Sequence, residues 1–160
     1  MQQYHDALDV VLGELNSRRI DAVDVSVVER GYGVNELPSR YGFEETITRL
    51  KDVIMAEGDT IWFGQIDYQA EAAALGVELP RLTLLLFGAP GPGAKAMAEF
   101  PRMGLDAFCQ KLLVHESRDG KVTAYFNAMP AFARMHHAEK ALPHHVINFR
   151  MDATLRKATE

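Results

Sequence analysis

Apolar positions recur at helical spacing in two stretches of the chain. Over residues 3–17, Leu8, Val11, Leu12 and Leu15 share one face and polar residues take the other, which predicts an amphipathic helix. Phe43, Ile47, Leu50, Val53 and Ile54 repeat the pattern. Glu44 and Glu45 fall in the first turn, where the helix dipole favours acids, and Gly58 follows, so a second helix is predicted over 43–57. Between these helices, residues 21–28 alternate and are rich in valine; they read as a short strand or irregular connector, closed by Gly31-Tyr32-Gly33.

The pattern then changes to that of strands. Residues 60–67, with Trp62, Phe63 and Ile66, read as a strand, and the Ala-rich run 70–75 as a short helix ended by Gly76. Leu82 to Phe87 is a nearly unbroken apolar run bounded by Pro80 and Gly88, the mark of a central strand. Gly88-Ala89-Pro90-Gly91-Pro92-Gly93 reads as a stiff structural loop, with Gly88, Pro90 and Gly93 its defining residues and a helix following from Ala94. Two strands, 110–116 and 121–127, flank Ser117-Arg118-Asp119-Gly120, a hairpin signal. A last helix is predicted from near Pro130 to before Pro143, and residues 144–160 read as a tail or a further helix.

These elements predict an α+β fold: a mainly antiparallel sheet with two principal helices on one face, plus an N-terminal amphipathic helix extension. The expected division is an extension over 1–31, an α+β domain over 32–143 and a C-terminal segment over 144–160.

Composition narrows the function classes. The chain has 160 residues, enough for one domain with a core of its own, and 48% of them are hydrophobic. With 17 basic against 22 acidic residues and a net charge of -5, it lacks the basic surplus of a generic nucleic-acid binder, so no nucleic-acid partner is expected. No apolar run approaches a membrane span, so no membrane partner is expected either. The one cysteine, Cys109, excludes an intramolecular disulfide and a cysteine-based zinc cluster, and a cytoplasmic location is expected. The charge is uneven. Residues 1–60 carry 12 acidic and 6 basic side chains, whereas 132–160 carry 3 acidic and 5 basic with four histidines.

Complete catalytic motifs are missing. The Gly-rich loop follows a strand and precedes a helix, but Lys95 is separated from Gly93 by Ala94, and Pro90 and Pro92 remove donors that a phosphate cradle needs. The serines lack a nucleophile elbow. The pairs His136-His137 and His144-His145 have no metalloprotease spacing, and neighbouring histidines on a helix point roughly 100° apart, so no metal and no cofactor is expected. Asp67 lies at an element end, where capping and cleft-lining carboxylates both occur. Tyr125 and Asn127 share one face of their strand.

Several segments, in order, resemble a bacterial and archaeal family known as domain of unknown function 302. They are Tyr41-Gly42-Phe43-Glu44-Glu45-Thr46 through Arg49-Leu50, then Ile66-Asp67 with the Ala-rich turn, then Leu85-Leu86-Phe87-Gly88-Ala89-Pro90 through Gly93 and Met97. Leu105-Asp106, the strand ending at Val114 and Asp119-Gly120-Lys121-Val122 continue the likeness to about His137. The resemblance implies a fold like that of the TATA-binding protein, usually dimeric, with no settled biochemical role. Tyr68 stands where the family has histidine, Ala89 where it has asparagine and Ala94 where it has threonine.

The expectation is therefore a homodimeric small-ligand-binding or structural module, its pocket lined by Asp67, Tyr125, Asn127, His136 and His137. The alternative is a metal-dependent or acid–base enzyme using His136 or His137 with Asp67. A third reading gives the N-terminal helix a protein partner.

Overall fold

Alternation along the strands decides which face of the sheet meets the helices. The computed structural model describes residues 33–106, 108–135 and 142–160. The helix predicted over 3–17 and the connector after it lie outside the described residues.

Five strands, β1 (Val34–Ser39), β2 (Ile61–Asp67), β3 (Leu82–Gly88), β4 (Gln110–Glu116) and β5 (Val122–Asn127), form one antiparallel sheet in the order β1-β5-β4-β3-β2. Leu37, Leu85, Phe87, Leu112, Val114, Val122, Ala124 and Phe126 are buried on one face. Leu84, Leu113 and Tyr125, one position out of phase, are half-buried on the other. This period of two is what one helix-covered face requires. At the β2 edge the register slips between Trp62 and Gly64, where Gly64 takes φ +151, a value open to glycine and strained for other residues.

Helix α1 (Phe43–Met55) lays Phe43, Ile47, Leu50 and Ile54 into the core at the predicted spacing. After it come α2 (Tyr68–Ala74), α3 (Pro90–Glu99), the short turn α4 (Met103–Asp106), α5 (Met129–Met135) and α6 (Leu142–Thr159). Helix α6 packs against α1, α3, α5 and β1, and contributes Met151, Leu155 and Ala158 to the same core. Its C-terminal carbonyls, which have no partner within the helix, are taken up by the residue after β1 and by α1. Arg40 N–H donates to Thr159 O at 3.1 Å and Arg49 Nε–H to Ala158 O at 3.1 Å. Two principal helices, α1 and α6, thus cover one face of an antiparallel sheet, which is the α+β class expected.

One element boundary differs from the sequence reading, and one strand falls where that reading assigns nothing. Residues 34–39 form a strand that carries Pro38 and occupies the sheet edge, where a missing N–H is tolerated. Helix α3 begins at Pro90, not after Gly93, because proline at the first helical position removes a donor that has no intrahelical partner. Pro143 sits in the first turn of α6, the further helix expected over 144–160.

Candidate functional site

Where α6 crosses the end of β3 and β4, its side chains do not fill the space left by the small residues of α3. Ala89, Pro92 and Gly93 form one wall, and Ile147, Met151 and Leu155 of α6 the wall opposite. Phe87, Phe108 and Gln110 close the floor from the sheet side, and Ile54 and Thr60 close the end. The inner cavity is narrow, about 70 Å³, and almost wholly apolar. Gly93 keeps this wall tight: a Cβ there would stand 3.3 Å from the Phe108 ring, which would have to shift slightly to admit it. Buried Gln110 is the polar group at the floor, its amide Nε2 3.5 Å from the sulfur of Met129.

An ionic cluster stands at the rim. Arg150 of α6 donates to Glu57 at 2.8 Å and to both carboxylate oxygens of Asp59 at 3.0 and 3.1 Å. Thr154, one turn further along α6, donates to the other Glu57 oxygen at 2.6 Å. The Thr154 hydroxyl first, and the Arg150 guanidinium next, hold the Glu57 carboxyl below the usual range; Arg150 does the same for Asp59. Both acids are ionised at neutral pH and tie the connection after α1 to α6. Beyond this rim a wider groove of about 550 Å³ opens between α3 and α6, lined by Asp59, Lys95, Val146 and Arg150 and sharing Pro92 and Ile147 with the inner cavity.

The residues chosen from sequence lie elsewhere. Asp67 is the N-cap of α2, accepting from the Ala70 N–H at 3.0 Å. Tyr125 lies on the sheet face away from α1 and α6, its ring 6.5 Å from that of His115, and Asn127 shares that face beside Val34. Strands β2 and β5 are separated by β3 and β4, three spacings or roughly 14 Å. The structure therefore does not bring Asp67 together with Tyr125 and Asn127. His136 and His137 lie outside the described residues. Among the described residues, no group of three or more His, Cys, Asp or Glu could hold a metal ion.

Gly88 ends β3, and Pro90 and Gly93 lie in α3 and not in a loop. This first turn of α3 is also one wall of the pocket, which the sequence reading missed. The remaining pocket residues carry no local signal, because Glu57, Asp59 and Arg150 come from distant stretches and meet only in the fold. A polar side chain mid-helix on the face that also carries Met151 and Leu155 was the available clue.

A sequence profile of the family described as Domain of unknown function DUF302 matches residues 35–158. The chain belongs to this family. The DUF302 match extends through α6, further than the resemblance read from the sequence, and so includes the helix that walls the pocket. The fold is similar to the crystal structure of an uncharacterized conserved protein DUF302 from Bacillus stearothermophilus, with a TM-score of 0.71 and 17% identity over 80% of this chain and 98% of that one. No curated protein is detectably similar to it. No helix among the described residues is long and apolar enough to cross a membrane.

Proposed function

We propose that this DUF302 domain is a small-ligand-binding module, cytoplasmic and homodimeric, whose site is the pocket between α3 and α6. The observation that carries the reading is a narrow apolar cavity with a buried amide at its floor and a charged rim. Ligand sites are concave and mostly apolar, with a few polar groups converging on them. The rim residues are engaged with one another and frame the mouth of the cavity. Exposed Phe63, Ile61 and Ile66 along the β2 edge supply apolar surface for a second copy.

Native mass spectrometry of untagged protein, purified without a metal column, tests both parts together. A dimer is expected, with a retained organic mass or with saturable binding of added n-octanol as a simple apolar probe. Ile147→Trp, placed on the wall shared by cavity and groove, should abolish the binding while leaving the melting temperature close to that of the parent. Binding that survives this substitution, or no binding at all, overturns the pocket; a monomer at all concentrations overturns the dimer.

A further inference from the structure

The outer groove differs from the inner cavity in charge as well as width. Its charged side chains are Lys95, Arg150 and Asp59, with Glu57 on the other side of Arg150 at the rim. The two cations are not equivalent. Arg150 is occupied, with donors committed to Asp59 and Glu57. Lys95 stands exposed on α3, and among the described residues no carboxylate pairs with it. A ligand whose apolar end enters the inner cavity past Ile147 and Pro92, which line both spaces, has its other end in the groove with Lys95.

We infer that the ligand is an amphipathic monocarboxylate, a medium-chain fatty acid or a compound of like shape. Its alkyl end fills the inner cavity and its carboxylate pairs with the Lys95 ammonium. This deepens the pocket reading above and rests on it. The chemistry follows from the two linings: the inner cavity is mostly apolar and suits an alkyl end, whereas the wider groove of about 550 Å³ carries Lys95 and suits a solvated carboxylate. An amine head would meet Lys95 and Arg150, and the Asp59 carboxylate it needs is already held by Arg150. A phosphate ester would suit the same cation less well, because a dianion in the groove would compete with Asp59 and Glu57 for Arg150 and open the rim.

The test uses three probes with one tail: octanoate, n-octanol and octylammonium, titrated calorimetrically into the full chain below their aggregation concentrations. Octanoate is expected to bind roughly tenfold more tightly than octanol, the gain from one charge-assisted hydrogen bond at a partly exposed site. Lys95→Gln should remove that advantage and leave octanol unchanged, and added salt should weaken octanoate alone. Octanol and octanoate binding equally, or octanoate unaffected by Lys95→Gln, overturns the carboxylate inference while the pocket stands. Octylammonium binding most tightly overturns it also and makes Asp59 and Glu57 the head-group site. If none of the three binds, the pocket reading itself falls.

Discussion

Replacing Arg150 by methionine keeps most of the side-chain volume and removes the charge that joins α6 to Glu57 and Asp59. At about 3 Å a pair of unit charges is worth about 1.4 kcal/mol in bulk water and about 5.5 kcal/mol at an effective dielectric of ~20. The cluster lies between these limits, with side chains 43% exposed for Arg150, 28% for Glu57 and 43% for Asp59. Exposure and the ordering of long side chains reduce the net value to about 0.5–1 kcal/mol per pair, so Arg150→Met should cost about 1–2 kcal/mol. A double-mutant cycle with Asp59→Asn, read by urea unfolding at neutral pH, should give a coupling of about 0.5–1 kcal/mol. Both carboxyls titrate lower in the folded protein than in the unfolded chain. Their contribution is therefore full above the ordinary carboxylate range and lost as the pH falls through the depressed folded values. The coupling should fall away as the pH drops below the ordinary carboxylate range and through the depressed folded values, and it should shrink in high salt. Strictly additive costs at pH 7, or a coupling unchanged in acid, would refute the clasp.

Three further outcomes follow from other parts of the fold. His144 is fully buried in the first turn of α6 beside Phe100, and among the described residues neither ring nitrogen has a hydrogen-bond partner. Burial first, then the charge of His145, lowers its pKa against the opposing pull of Glu99, so the neutral ring is the folded form. Its contribution is whole above about pH 6.5 and lost as the pH falls toward the lowered folded value; melting curves at pH 5 and 7.5 should differ less for His144→Phe than for the parent. Leu155→Ala removes a side chain 1% exposed and should cost about 2–5 kcal/mol by urea unfolding, while widening the inner cavity. Asp67→Ala removes the cap of α2, which buries no residue, so it should cost about 0.5–1 kcal/mol and leave octanol binding unchanged; lost binding would return Asp67 to the site.

Hydrophobic periodicity made most of this architecture legible, because α1, β3 and the β4–β5 hairpin each bury a continuous face. The shifted start of α3 has a physical cause. Pro90 reads as an interruption, yet it occupies a first helical position, where the lost N–H costs little. The Gly-rich loop looked empty of structure because its small residues signal flexibility locally, whereas in the fold they admit the Phe108 ring. The residues chosen from sequence are dispersed for a different reason. Alternation places Tyr125 and Asn127 on one face of a strand, but nothing local states the order of strands, and that order separates them from Asp67. The rim was illegible because Glu57 and Asp59 stand 93 and 91 positions from Arg150, a separation no window spans.

The strand order also sets a sequence of events during folding. Strands β4 and β5 are joined by a tight turn closed by Gly120 N–H to Ser117 O at 2.9 Å, so they pair at small entropic cost. Strand β1 meets β5 only after roughly 80–90 intervening residues have been gathered in, which makes it the last to zip and the first to unzip. The residue after β1, Arg40, ties down the final carbonyl of α6. Peeling of this edge therefore releases the far end of the helix that walls the pocket, and amide exchange along β1 and the last turn of α6 should rise and fall together.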